Sequence, residues 1–507
     1  MSSEAKEKEQ EQQEQKEPQD KIISTCHTVT IDGRELRYTV TVGTMVLREE
    51  VEKGGESKDK NEGYKPKAEI FFTAYTLDRD ETVSDAEHRQ TRPITFAFNG
   101  GPGSSSVWLH LGTLGPRRVE MGDAGNLLPP PYRLVENEFS ILDVTDLVFI
   151  DPVTTGYSRV VKGENPRQFH NFEKDIASVG DFIRLYTTRY NRWVSPKFLA
   201  GESYGTTRSA GLSGYLQERH GLYLNGIILI SAILNFQTVH FTPGNDLPYI
   251  LFLPTYAATS WYHGKLSAGL QKRDLSDLLA EVEKFALGEY TAALMKGDLL
   301  PAGERARIVR KLARYTGLSP EYIRQTNLRI EIMRFTKELL RAERRTVGRL
   351  DTRFKGIDRD AAGETWETDP SMNAIMGPYT AVLNDYLRTE LEFESDLPYE
   401  ILSRRVWPWG YENVQNQYLN VGETLRKAMT TNPFLKVLVA NGYYDLATPY
   451  FATRYTFDHL QLDESLRGNY SMTYYEAGHM MYLHMPSLAK LKRDMADFIR
   501  SATPQRA

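Results

Sequence analysis

Cysteine is almost missing from this chain: Cys26 stands alone among 507 residues. No intrachain disulfide can form, and metal sites built on several thiolates are excluded. The ten histidines show no H-E-x-x-H spacing, so metalloprotease chemistry has no signature here. No apolar run approaches the roughly 18 residues needed to span a bilayer. Neither sign of charge dominates: 62 Lys and Arg against 67 Asp and Glu leave a net charge of -5, which argues against general nucleic-acid affinity. No repeat of fixed period is evident. No metal, cofactor, nucleic-acid or membrane partner is therefore expected.

What is present reads as a soluble globular protein, 40% hydrophobic and 25% charged. Its length exceeds one typical domain, so a large core with an insertion, or two domains, is expected. Met1 to Asp20 is rich in Glu, Gln and Lys, lacks an apolar signal-peptide stretch and is predicted to be disordered. With the single cysteine, this predicts a reducing, cytoplasmic location.

Thr28 to Val42 alternates around Asp32-Gly33, a hairpin pattern, and Ala68 to Leu77 is a further strand. Lys53 to Pro66 is polar and reads as a loop. Short apolar runs then end in glycine or acidic loops: Ile94 to Phe98, Asp146 to Ile150, Phe198 to Ala200 and Leu224 to Ser231, with a helix over Phe172 to Tyr190. Buried strands alternating with helices predict an α/β fold with a mostly parallel sheet. Between His240 and Arg405 strands disappear, and Leu266 to Leu287, Ala302 to Tyr315, Pro320 to Leu350 and Asp385 to Phe393 take helical spacing. Arg324, Arg329, Arg334, Lys337, Arg341, Arg344 and Arg345 lie among interleaved glutamates and apolar positions, the pattern of a solvated helix face. Strands resume at Phe434 to Ala440 and Tyr470 to Tyr475, and Ser487 to Ile499 is an amphipathic helix. The predicted organisation is a charged disordered tail (1–21), the first part of an α/β core (22–240), a helical insertion or lid (241–405) and the second part of the core (406–507).

Gly201-Glu202-Ser203-Tyr204-Gly205, with a strand before it and a helix after it, reads as a nucleophile elbow. A serine hydroxyl needs a base to take its proton, and the base needs an acid to fix its tautomer. Asp445 and His479 follow the serine in that order, each on a loop after an apolar strand with a glycine close before it. Asp445 has the rival reading of a helix cap near Pro449, and His479 that of a core histidine. The glycines of Asn99 to Ser106 let backbone N–H groups approach a substrate, and the amides of Gly101 and Tyr204 are the predicted oxyanion hole. No Lys follows that loop in phosphate-loop spacing.

Asn99 to Ser106 (NGGPGSSS), Asp151-Pro152 with Gly156-Tyr157-Ser158, Gly201 to Gly205 (GESYG), Gly442 to Asp445 (GYYD) and Ala477 to Met480 (AGHM) together resemble the serine carboxypeptidases, peptidase family S10. The blocks occur in family order from about Pro93 to Pro486, and in detail look most like a prokaryotic branch. The resemblance implies an α/β-hydrolase fold with helices on both faces of the sheet. It also implies removal of single residues from free peptide C-termini through an acyl-enzyme on Ser203. Asn99, Gly100 and Glu202 are then implied to grip the substrate's terminal carboxylate. A protonated Glu202 can donate to that carboxylate, whereas an ionised one repels it. The chain departs from the family pattern in four places: Thr113 stands where a second glutamate would share the proton, Ser104 where a cysteine is usual, Phe98 where a tryptophan is usual, and Met481-Tyr482 where Val-Pro is common. Thr113 motivates an alternative, an esterase or acyltransferase using the same triad. A catalytically silent peptide-binding scaffold is the alternative of another class.

Overall fold

The computed structural model describes residues 17–51, 63–79, 82–122 and 127–504. Asp32 and Gly33 both take positive φ (50° and 73°), the conformation a two-residue hairpin turn requires. They join β1 (Lys21–Ile31) to β2 (Arg34–Val51). After them come β3 (Gly63–Leu77), β4 (Ile94–Phe98), β5 (Asp146–Ile150), β6 (Lys197–Ser203), β7 (Gly226–Ala232), β8 (Lys436–Gly442) and β9 (Tyr470–Tyr475). These form one sheet in the order β1-β2-β3-β5-β4-β6-β7-β8-β9, with the short strand Arg159–Val160 beside β3. The first three strands pair antiparallel, and every neighbour from β5 to β9 is parallel.

β4, β5 and β7 are buried at every residue, as expected of strands covered on both faces. Alternate side chains divide between two cores. Ile228, Ile230 and Ala440 pack with Leu488, Leu491 and Met495 of the last helix. Ile227, Leu229 and Val439 pack with Val179 and Phe182 of α1 (Phe172–Arg189) and Leu212 and Leu216 of α2 (Tyr204–His220). This is the α/β-hydrolase arrangement, and it aligns the C-terminal ends of β4, β6, β8 and β9 along one edge. No helix among the described residues is long and apolar enough to cross a membrane.

A third core gathers Leu251 and Phe252 of α3 (Leu247–Tyr262), Leu279, Leu312 and Phe335, and it includes Leu446 and Phe451 beside Asp445. Its helical part runs from Ile250 to Val347. The rest of the predicted insertion behaves differently: Tyr379, Leu383 and Tyr386 of α4 (Pro370–Thr389) join the core of the main sheet. The two strands in this region, Thr346–Val347 and Lys355–Gly356, have two residues each.

Several expectations need correction. Residues 1–16 of the predicted tail and 53–62 of the predicted loop lie outside the described residues. Lys21 already belongs to β1, and Asp20 accepts a hydrogen bond from Val46 N–H (2.9 Å); Gly63 to Pro66 belong to β3. The predicted helix over Pro320 to Leu350 is broken into Pro320–Gln325 and Ile332–Glu338. Asn327 and Leu328 take left-handed φ, and the Glu331 side chain caps a fresh helix by accepting from Met333 N–H. The basic residues there share no helix face: Lys337 is buried against Asp358, and Arg329 is paired with Asp246. The helix expected over Asp385 to Phe393 begins at Pro370 and ends at Thr389, because Asp369 caps it and Pro370 suits its first turn.

Candidate active site

Ser203 ends β6 and precedes α2 with φ 60° and ψ -130°. That conformation costs a side-chain-bearing residue on the order of 1–3 kcal/mol, and it throws the hydroxyl clear of the sheet edge. The loop Asn99 to Ser106 sits directly on this turn. A Cβ on Gly100 would lie 2.3 Å from Tyr204 N, so only glycine permits the approach.

Asp445 follows β8 and is fully buried, surrounded by donors. Ala447 N–H (2.7 Å), Thr448 N–H (3.0 Å) and the Thr448 hydroxyl (2.7 Å) all donate to its carboxylate. His479 Nδ1 lies 2.7 Å from Asp445 Oδ2 and 3.2 Å from Thr448 Oγ1. The helix Tyr450–Asp458 begins after Pro449 without a side-chain cap, so Asp445 is not its cap; its carboxylate faces His479 instead. Burial disfavours the imidazolium of His479, but the facing Asp445 carboxylate outweighs it and lifts the ring's basicity above the ordinary range. The loops that carry Ser203 and His479 are linked through β7. Ala232 is the register partner of Ser203, and the adjacent Ser231 hydroxyl donates to the His479 carbonyl (2.7 Å).

Glu202 points into a buried polar cluster on the other side of the elbow. Asn99 Nδ2 donates to its Oε1 (3.0 Å) and the Tyr482 hydroxyl to its Oε2 (2.6 Å). Burial is the main influence and raises the carboxyl to about 7, against the opposing pull of His479 and the two hydrogen bonds. Thr113 is buried nearby in the turn His110–Leu114, and its Oγ1 finds no hydrogen-bond partner among the described residues. The Tyr482 ring fills the space beside Gly112. In the sequence Tyr482 is only a departure from the family pattern; its bond to Glu202 spans 280 residues and has no local signal.

Two further groups brace the Asn99 loop. Asp151 Oδ1 accepts from Ser106 N–H (2.8 Å) and Oδ2 from the Tyr399 hydroxyl (2.7 Å), so the Asp151-Pro152 motif is an anchor. Arg208 of α2 is buried, forked onto Asp175 of α1 (2.9 and 3.1 Å), and donates from Nη1 to the Asn99 carbonyl (2.5 Å). Asp175→Ala would strand that guanidinium in the core, an expected loss of about 3–5 kcal/mol. Urea unfolding measures it, and a loss under 1 kcal/mol would show that the pair is not a bracing element.

Gly101, Ser203 and Tyr204 line a cavity of about 410 Å³ together with Ile233, Phe241, Phe252 and Leu446. Glu331 and Arg349 from the helical region complete its wall, and neither was singled out in the sequence. Asn99, Gly100 and Glu202 are not among its lining residues. Among the described residues no cluster of His, Cys, Asp and Glu could hold a metal ion.

Residues 66–240 match the family model described as serine carboxypeptidase. The pheromone-processing carboxypeptidase KEX1 of Saccharomyces cerevisiae is 32% identical over 155 residues, covering 29% of this chain and 19% of that protein. Serine carboxypeptidase-like 33 of Arabidopsis thaliana is 28% identical over 148 residues, 27% of each chain. The chain thus aligns with under a third of the length of these relatives. In three dimensions it resembles the crystal structure of the prohormone-processing carboxypeptidase KEX1(delta)P from Saccharomyces cerevisiae. The TM-score is 0.52 over 91% of both chains at 16% identity, a likeness of fold.

Proposed function

We propose that this chain, whose residues 66–240 match the serine carboxypeptidase family model, hydrolyses peptides from a free C-terminus through an acyl-enzyme on Ser203. His479 Nδ1 is engaged by Asp445, which leaves Nε2 as the base for the Ser203 hydroxyl and then as the acid for the departing amine. The amides of Gly101 and Tyr204 hold the oxyanion as the carbonyl becomes tetrahedral. Asn99, Gly100 and Glu202 hold the terminal carboxylate of the leaving residue. The 410 Å³ cavity lacks those three residues and so takes the side chain on the acyl side, where Ile233, Phe241, Phe252 and Leu446 offer apolar contact beside the charged Glu331 and Arg349. Cys26 is the single cysteine and is exposed, which suits a reducing compartment, and there we place the protein.

The observation that carries this reading is Glu202, a buried carboxyl beside the nucleophile held by Asn99 and Tyr482. Its pKa of about 7 fixes the sign of the pH dependence. Below that value Glu202 is protonated and donates to the substrate carboxylate; above it the two carboxylates repel. KM for a free-acid dipeptide should therefore rise about tenfold per pH unit above neutrality, while the corresponding C-terminal amide shows no such rise. Equal kcat/KM for acid and amide from pH 5 to 9 would reject the carboxypeptidase reading. It would favour the esterase or acyltransferase, for which Thr113 in place of a second acid is the supporting feature. Tyr482→Phe tests the same site from the other side. The Tyr482 hydroxyl stabilises ionised Glu202, so removing it should move the alkaline rise in KM to higher pH; a rise that stays put would separate Tyr482 from substrate binding.

A further inference from the structure

The strap at residues 349–353 leaves the helical region and passes between the two loops that carry Asp445 and His479. On one side the Arg349 carbonyl accepts from Leu446 N–H (3.0 Å) and Thr352 N–H donates to the Tyr444 carbonyl (3.0 Å), so Asp445 is bracketed by backbone bonds. On the other side the Leu350 carbonyl accepts from His479 N–H (2.6 Å). Asp351 Oδ2 accepts from Gly478 N–H (3.1 Å). The Asp351 carboxylate is buried and forked onto Arg353 (3.0 and 2.7 Å), whose Nη1 reaches on to the Glu476 carbonyl (3.0 Å). The fit leaves no slack: a Cβ on Gly478 would lie 2.4 Å from the Asp351 Cβ.

The strap is itself fixed from outside. Asp369, the cap of α4, accepts from Arg349 N–H (3.0 Å), and His263 Nε2 lies 2.7 Å from the Thr352 carbonyl. Thr259 of α3 donates its hydroxyl to that of Thr352 (2.8 Å). Buried charge pairs are costly to assemble and gain their value from the geometry they impose. Here that geometry is the separation of the two triad loops.

We propose that Asp351, through Gly478 and Arg353, is a positioning residue that sets the His479 imidazole against Asp445. It rests on the triad reading given above. Asp351 does not line the cavity beside Ser203, so its loss should act on the rate of Ser203 activation and leave peptide binding alone. A displacement of about 1 Å in a reacting group costs on the order of 100-fold in rate.

The test compares wild type, Asp351→Ala and Asp351→Asn, the last keeping an oxygen acceptor for Gly478 N–H. kcat and KM on a free-acid dipeptide are measured per titrated active site, together with the rate of Ser203 labelling by a fluorophosphonate. Asp351→Ala is expected to lower kcat and the labelling rate in parallel by about 10–100-fold with KM within about twofold, and Asp351→Asn to recover much of the loss. Wild-type kcat per site and wild-type labelling in Asp351→Ala, whatever its melting temperature, would overturn the proposal. Should Asp351→Ala fail to fold, Arg353→Gln takes its place; it keeps the contact to Gly478 and loses the fork. It is expected to show the same parallel fall at smaller size, and unchanged rates would again overturn the proposal. A wild type that takes no label would instead remove the triad reading itself.

Discussion

Ser203→Ala is expected to lower kcat/KM on blocked dipeptides by roughly 10⁶-fold, to the residual level that binding and the oxyanion amides sustain on their own. The size follows from the mechanism: without the hydroxyl no acyl-enzyme forms, and His479, held by Asp445, has no nucleophile to deprotonate. The variant should fold normally. The Ser203 side chain makes no capping hydrogen bond to α2, and the bond from the Thr206 hydroxyl to the Ser203 carbonyl (2.6 Å) is a backbone feature that alanine keeps. The strained φ of 60° is no worse for alanine than for serine. Stability should therefore stay within about 0.5 kcal/mol of wild type. A loss of activity accompanied by unfolding would not count; undiminished turnover by a folded variant would discard the mechanism.

Asp445→Asn is expected to lower kcat by roughly 10³–10⁴-fold with little change in KM. The carboxylate is buried and accepts from Ala447 N–H, Thr448 N–H and the Thr448 hydroxyl, so it is held as an acceptor facing His479 Nδ1. An amide can turn its NH₂ toward the ring, which then carries its proton on Nε2, the atom that must receive one from Ser203. The Thr448 hydroxyl, 3.2 Å from Nδ1, offers the ring a second partner and places the expected loss at the lower part of that range. A fall of less than about tenfold in kcat would show that Asp445 does not set the tautomer.

The same two variants show which parts of the site are written locally. Ser203, Asp445 and His479 each follow a run of strand residues with a glycine close by, so strand, loop and side chain can be read from one window of sequence. The parallel sheet then brings the loops to one edge without further instruction. The β1–β2 hairpin was legible for the same reason, because Asp32-Gly33 carries its own turn chemistry.

Contacts formed across the chain left no such trace. Tyr482 meets Glu202 from 280 residues away, and Asp351 meets Gly478 from 127 residues away. Each reads in the sequence as an ordinary polar residue. The segment Pro320 to Leu350 misled because its apolar spacing is helical throughout. What breaks it is tertiary: Leu328 turns inward with left-handed φ, buries its side chain, and presents its carbonyl to the Tyr290 hydroxyl (2.6 Å). Lys337 looked like one more surface base, yet Asp358 draws it into the interior. Helical periodicity reports which side chains are apolar; it does not report where the chain turns between them.

The central claim is that Ser203 carries the acyl group during turnover. The most direct measurement is acid quenching of wild-type enzyme during hydrolysis of an activated ester of a blocked amino acid, followed by peptide mass mapping. An acyl adduct on the peptide containing Ser203, absent in Ser203→Ala, is the predicted result. Rapid turnover with no adduct, or with the adduct on another residue, would contradict it.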